Sequence, residues 1–266
     1  MANGTNLQQI STRTSQAYAL GAPNTPAGLA QNKVFTVNRD IMLGRLSLVE
    51  AGPAITGGQV TNISVQGASL MCSNQPASLA GMSPLAVDSN QNFIGVPCPA
   101  NGVLLVQATL DNAGSTLEGT CLCDPWETDV QGPLPSPSEM GVSATNYIFG
   151  MGRQLAVAPG AQVILQATAL RDCIIGELVL SSRDSAAFFN TDVGCTVEFI
   201  RINQTEQLVS NAASSTSLQS YSTFAQDVDM RTMQAFVPMN GIVQIGITNR
   251  TGANIDVEGH WYCTPA

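Results

Sequence analysis

The chain has 266 residues, of which 44% are hydrophobic and only 11% are charged, and its formal net charge is −9. This composition excludes a disordered chain, because disorder goes with low hydrophobicity and high charge. The acidic balance argues against a general nucleic-acid binder, which would present a basic face. Residues 1–39 hold basic side chains and no acidic one, and a polar arm is favoured there over a phosphate-binding one.

The sequence divides into four predicted segments. Residues 1–17 form an N-terminal arm, residues 18–123 a first β-sandwich, residues 124–146 a proline-rich connector and residues 147–266 a second β-sandwich. Proline removes ladder donors and fixes φ, so the connector is predicted not to be a strand. Short apolar runs predict strands over 41–49, 60–66, 103–110, 162–170, 173–181, 196–202, 241–248 and 255–263. Helical patterning is weak, and a short helix is considered only within 205–226.

Two copies of one pattern lie half a chain apart. Three segments recur in the same order and at nearly the same separation. They are 39–48 with 171–180, 99–102 with 238–241, and 118–125 with 258–265. The first pair shares five of ten positions, the second is a Pro-x-Asn-Gly turn, and the third runs from Glu-Gly to Cys-x-Pro. The sequence therefore predicts that one unit has been duplicated.

The repeat can be checked against the alternation of strand side chains. With the Asn-Gly turns aligned, the apolar positions Leu104, Val106 and Ala108 fall on Val243, Ile245 and Ile247. A register slip of one residue would exchange the two faces, so this agreement favours structural equivalence. In the 39–48 segment Arg45 stands where the second copy has Glu177. This charge reversal at an outward site would suit contacts between unlike halves, and both residues are candidate subunit-contact positions.

No catalytic, cofactor-binding or metal site is predicted, and we expect no enzyme. The single histidine, His260, has Thr120 as its counterpart and is interpreted as a structural strand residue. The glycines match no phosphate-binding motif. Trp126 and Trp261 fit packing as well as a carbohydrate platform.

Seven cysteines are present, and none forms a Cys-x-x-Cys pair. In a chain made in the cytoplasm we expect buried small hydrophobic side chains and no disulfide framework. Cys121 and Cys123 place two thiols on one face of a strand, where packing is favoured over metal binding. Asp227 and Asp229 would suit calcium if extended, but a solvated loop is favoured.

The organisation resembles the double jelly-roll major capsid proteins of tailless icosahedral viruses, including lipid-containing phages. The resemblance rests on two tandem β-sandwiches, a proline-rich connector and a short arm, and it covers nearly the whole chain. It implies an all-β fold of two eight-stranded sandwiches related by internal duplication. It also implies a structural virion protein whose homotrimers form pseudo-hexagonal tiles of an icosahedral shell.

The same resemblance implies the partners and the location. The chain would contact itself within and between capsomers, would reach the virion without a signal peptide, and would meet minor capsid or vertex proteins. The arm would touch an internal membrane or the genome weakly, without sequence-specific nucleic-acid binding. A tandem carbohydrate- or receptor-binding module is the alternative. It predicts exposed aromatic residues at equivalent loops, whereas Trp126 follows and Trp261 precedes the Cys-x-Pro anchor.

Overall fold

The computed structural model describes residues 16–19, 30–51, 57–83, 93–112, 114–126, 132–134, 147–186, 191–207, 215–222 and 232–266. Within these ranges the regular structure consists of β-strands and three short 3-10 turns. No helix in them is long and apolar enough to cross a membrane. The predicted all-β fold class is confirmed.

The first half builds two sheets that face each other. Its strands are β1 (Gln16–Ala19), β2 (Ala30–Thr36), β3 (Ile41–Ala51), β4 (Gly58–Val65), β5 (Ala68–Ser69), β6 (Ala77–Ser78), β7 (Phe93–Cys98), β8 (Val103–Leu110) and β9 (Thr116–Pro125). One sheet has the order β1-β9-β3-β7, and the other has the order β2-β8-β4-β5 with β6 also on β4. A 3-10 turn, Ala80–Met82, follows β6.

The second half repeats this arrangement. Its strands are β10 (Tyr147–Val157), β11 (Gln162–Thr168), β12 (Cys173–Asp184), β13 (Cys195–Ile202), β14 (Thr205–Glu206), β15 (Thr216–Ser217), β16 (Thr232–Val237), β17 (Ile242–Asn249) and β18 (Ile255–Pro265). The sheet orders are β10-β18-β12-β16 and β11-β17-β13-β14, with β15 also on β13. The same antiparallel order in both halves fits a jelly roll, in which two four-stranded sheets form a sandwich.

The recurring turns have the same backbone geometry in both halves. Asn101 has φ 64° and Asn240 has φ 66°, the left-handed region that asparagine tolerates better than most residues. Asp40 and Asp172, from the two Arg-Asp pairs, each accept a hydrogen bond of 2.7 Å from a backbone N–H of the turn. The two aspartates therefore stabilise the two turns in the same way.

The core lies between the two sheets of each half. The six strand positions predicted to face it, Leu104, Val106, Ala108, Val243, Ile245 and Ile247, are at most 2% exposed. All seven cysteines are buried and unbridged, as expected.

Several predicted segments fall partly or wholly outside the described residues. These are most of the arm 1–17, most of the connector 124–146, and the loop with Asp227 and Asp229. Within the described part of 205–226, a 3-10 turn at Leu218–Tyr221 takes the place of the helix considered there. Serine and threonine dominate this segment, and their side chains compete with helical backbone hydrogen bonds.

Candidate functional site at the seam between the two halves

The two halves of the chain meet along one seam. Residues 70–82 of the first half, here called the seam segment, lie against the edge strand β10 of the second half. The N–H of Cys72 donates to the Ile148 carbonyl at 2.9 Å, and the Ser73 hydroxyl donates to the Gly150 carbonyl at 2.8 Å. These bonds extend the β10 sheet across the boundary between the halves.

The same segment is held on its other side by the end of β11. The N–H of Asn74 donates to the Thr168 carbonyl at 3.0 Å, and the N–H of Leu170 donates to the Cys72 carbonyl at 2.8 Å. The seam segment therefore bonds to strands from both sheets of the second half. Backbone hydrogen bonds on two sides fix its position more firmly than side-chain packing alone would.

Glycine permits the close approach at this seam. A Cβ atom on Gly150 would overlap the backbone carbonyl oxygen of Gln75 and the backbone of Pro76. Gly152 has φ 74° and lies against the Gln75 side chain. The glycines of β10 are thus explained by the neighbouring half of the chain rather than by a turn.

The seam segment covers the outer face of β18. All of residues 255–263 are buried, although a strand in a sandwich usually buries only one face. The Ser78 hydroxyl donates to the Glu258 carboxylate at 2.7 Å. His260 is fully buried against Gly81, where an added Cβ would overlap the imidazole ring. The predicted structural role of His260 fits this placement.

A network of ion pairs closes one end of the seam. Asp111 of the first half accepts from Arg153 at 2.7 Å and from Arg183 at 2.6 Å. Arg153 also donates to Glu258 at 2.6 Å, and Arg183 lies 3.5 Å from Asp256. Burial disfavours the charged form of Arg153, but the carboxylates of Glu258 and Asp111 outweigh it and raise the pKa of the guanidinium.

Burial also shifts the pKa of two ring side chains on β18. It lowers the pKa of His260 to about 3, so the imidazole is neutral at physiological pH. Neither ring nitrogen has a hydrogen-bond partner among the described residues. Burial and the nearby Glu177 carboxylate raise the pKa of the Tyr262 hydroxyl. The seam interior thus holds neutral rings, and the ion pairs of Arg153 and Arg183 lie at its rim.

The equivalent face of the first half is partly open. Strand register makes β9 the counterpart of β18, with Thr120 matching His260 and Leu122 matching Tyr262. Thr120 is exposed and Leu122 is 37% exposed, against 0% and 7% for their counterparts. A surface that is a buried interface in one half is therefore solvent-accessible in the other.

The second half also has a counterpart of the covering residues. Ser217 on β15 occupies the position of Ser78 on β6. Each serine hydroxyl accepts from a backbone N–H of the following turn, that of Ser217 from Gln219 and that of Ser78 from Gly81. Ser217 and Gln219 are exposed, whereas Ser78 is 1% exposed. The second half thus exposes β15 and the turn after it, whereas the equivalent β6 and its turn in the first half are buried in the seam.

Of the sequence-predicted contact residues, Glu177 lies near Tyr262, and Arg45 is its counterpart in the first half. Arg45 and Glu177 are half-buried at equivalent positions of β3 and β12, beside the same register shift in each strand. Trp261 is fully buried, and the half-buried Trp126 donates its indole N–H to the Gly132 carbonyl at 3.0 Å. Neither tryptophan presents the exposed platform that twin carbohydrate sites would need.

Sequence reasoning missed the seam residues Asp111, Arg153 and Arg183. A signal was present in the differences between the copies, since Arg250 stands where the first copy has Asp111 and Ala51 stands where the second has Arg183. A charge difference between duplicated halves is expected where a surface is covered in one half and exposed in the other.

Comparison with known proteins gives structural likeness but no sequence match. No protein-family model matches the sequence, and no curated protein sequence matches it. The structure is similar to that of the major capsid protein P2 from bacteriophage PM2, with a TM-score of 0.42 and 9% sequence identity. The alignment covers 95% of this chain and 98% of that chain. A likeness of this extent does not by itself assign a function.

Proposed function

We propose that this chain is a structural protein of a virion shell, in which it assembles with copies of itself. The observation that carries the proposal is the difference between the outer faces of β18 and β9. The first half buries the outer face of β18, whereas β9 leaves Thr120 and Leu122 exposed. A partner that repeated the seam would cover β9 in the same way.

A second copy of the chain can supply that partner. Its residues 216–221 on β15 and the following turn would lie on β3 and β9 of the next chain, as residues 77–82 lie on the second half. Such a contact joins unlike surfaces, and heterologous contacts of this kind close into a ring when the rotation allows. Three chains would place six similar sandwiches around one axis, as a pseudo-hexagonal trimer.

Charge supports the same pairing. In the seam an acidic residue, Asp111, meets Arg153 and Arg183. Its counterpart in the second half is Arg250, whose side chain is 57% exposed. On the open face of the first half the counterpart of Glu258 is Glu118. We therefore expect Arg250 of one chain to approach Glu118 of the next. In the seam the covering half supplies the acidic residue, whereas in this contact it would supply the basic one.

The remaining parts of the chain have proposed roles in this shell. Residues 18–123 and 147–266 are the two domains, and residues 124–146 connect them. The arm 1–17 faces the interior of the virion, toward a membrane or the genome. Trimers would meet one another, and minor capsid or vertex proteins, to build an icosahedral shell. A specific contact of this kind buries about 1,200 Å² or more.

Native mass measurement with electron microscopy of the purified full chain tests the proposal. We expect a species of three times the chain mass with a hexagonal outline. A stable monomer at micromolar concentration would contradict the shell function. A monomer that also bound glycans on an array would favour the tandem carbohydrate-binding module.

A further inference from the structure

Three cysteine thiols converge inside the seam. Cys72 comes from the seam segment, Cys173 from the start of β12 and Cys263 from β18, and their Sγ atoms all lie within 4.8 Å of one another. Each residue is at most 1% exposed. Pairing of β12 with β18 brings Cys173 and Cys263 together within the second half, and the packing of the first half against the second adds Cys72.

The backbone holds each thiol in place. Hydrogen bonds to Ile148 and from Leu170 fix Cys72 on two sides. Cys173 and Cys263 lie on neighbouring strands, where Cys173 pairs with Pro265. Preorganised ligands of this kind lose little conformational freedom when a ligand binds.

The spacing and the ligand type suit a thiophilic metal ion. Zinc–sulfur bonds of about 2.3 Å at tetrahedral angles hold sulfur atoms about 3.8 Å apart, which this cluster can accommodate. Thiolates select Zn²⁺ and Cu⁺ over hard cations such as Mg²⁺ or Ca²⁺. The three side chains offer sulfur ligands alone, so calcium and magnesium are excluded as occupants.

A cationic side chain lies beside the cluster in the chain. Arg171, whose guanidinium lies 4.5 Å from the centre of the Tyr147 ring, is two residues from Cys173. Three thiolates and one Zn²⁺ carry one net negative charge, which the neighbouring guanidinium balances.

The three cluster positions are not all cysteines in the first half. Cys263 has a cysteine counterpart, Cys123, but Cys173 stands where the first half has Ile41. Cys123 is instead close to Cys121, with 3.5 Å between the two sulfur atoms. Cys173 therefore occupies a buried position that is held by isoleucine, Ile41, in the other half.

We infer that Cys72, Cys173 and Cys263 bind a thiophilic d10 cation, Zn²⁺ or Cu⁺, which ties the seam segment to the second half. The ion displaces the protons of the thiols that are not yet ionised, and no redox step is involved. The inference concerns a single chain and does not rest on the proposed shell function.

The test uses full-length protein purified under reducing conditions after growth with added zinc or, separately, copper. Mass spectrometry of metals should give about one ion per chain from one of the two preparations. The variant Cys72→Ala should lose that ion, whereas Cys195→Ala, which removes a buried thiol outside the cluster, should keep it. X-ray absorption at the bound metal should show a sulfur-dominated shell, and the energy of the absorption edge distinguishes zinc from copper.

Wild-type protein provides a readout that does not depend on the variants folding. Removal of the ion with a chelator should lower the melting temperature, and adding back zinc or copper should restore it. Metal-free protein with seven free thiols after both growths would overturn the inference, as would a disulfide within the cluster or a nitrogen- and oxygen-rich metal shell. Each of these outcomes leaves the assembly experiment unaffected.

Discussion

His260 is a buried, neutral imidazole at the seam, and its burial makes stability depend on pH. Its folded pKa of about 3 lies below the unfolded value, so the unfolded chain binds the proton more readily. The stabilisation is complete above about pH 6.5 and is lost at about 1.4 kcal/mol per pH unit as the pH falls toward 3.

We predict that His260→Leu removes this part of the acid sensitivity. Urea unfolding of both proteins between pH 7 and pH 4 measures it, because carboxylates contribute equally to the two curves. The gap between wild type and variant should change by about 3 kcal/mol over this range. A constant gap would mean that the imidazole is already protonated or accessible in the folded chain.

Gly150 permits the closest backbone approach in the described seam. We predict that Gly150→Ala destabilises the chain by about 1–3 kcal/mol, because the added methyl group overlaps the carbonyl of Gln75 and must displace the seam segment. Gly252→Ala is the matched control, since a Cβ there meets nothing within 4 Å. Thermal unfolding of the two variants checks the difference, and equal melting temperatures would contradict the described contact.

At the level of the elements, the sequence predicted the strands with strong apolar alternation. All eight predicted segments overlap observed strands, and 103–110 matches β8 at both ends. Strand β10 was not predicted, because Gly150 and Gly152 interrupt its apolar pattern and resemble a turn. The two glycines are required by contact with residues 75–76, which are far away in the sequence. A local sequence pattern therefore cannot predict them.

The outer faces of β9 and β18 show the same limit. Both strands end with the same Cys-x-Pro anchor, yet one is covered by a segment about 180 residues earlier in the chain and the other is not. Thr120 and His260 differ because of that cover. The difference between Thr120 and His260 is visible in the sequence, but it can be explained only once the covering segment is known. The three-thiol cluster could not be predicted for the same reason, since Cys72 comes from that segment.

The ion pairs at the seam give a prediction for how the elements are joined. Replacing Asp111 with alanine leaves two guanidinium groups, 7% and 14% exposed, with one carboxylate fewer between them. Asp111 itself is partly exposed, so its loss should cost more than breaking a surface pair but less than breaking a fully buried one, and we predict about 1–3 kcal/mol. Glu198→Ala, which breaks a pair with the exposed Arg250, should cost under about 1 kcal/mol. Chemical denaturation compares them, and equal losses would argue against a buried network.

For the whole molecule, the candidate contacts Arg45 and Glu177 make a separate prediction. If they mediate contacts between unlike halves, the single changes Arg45→Glu and Glu177→Arg should each weaken self-association by about tenfold, or 1.4 kcal/mol. The double exchange should also alter assembly, because the two sites meet different neighbours. Sedimentation velocity measures this, with circular dichroism as the control for folding. Unchanged assembly of the double variant would remove both residues from the interface.

The pairing of Arg250 with Glu118 distinguishes a repeated seam from any other mode of self-association. Within one chain Arg250 pairs with Glu198 at 3.2 Å. An attraction between Arg250 and Glu118 is therefore expected only across a contact between two chains. We predict that Arg250→Glu and Glu118→Arg each weaken trimer formation, by about tenfold or more, through like-charge contact. Combining the two changes should restore much of the loss, because the ion pair then forms with reversed polarity.

Mixing the single variants gives the sharpest outcome. Each Arg250→Glu chain presents a carboxylate that suits the arginine of a Glu118→Arg chain, so mixed trimers should contain complementary contacts that neither variant can make alone. Native mass spectrometry with one isotopically labelled variant counts these species. Random mixing, or assembly of either variant at wild-type strength, would mean that chains meet through surfaces other than the open face of β9.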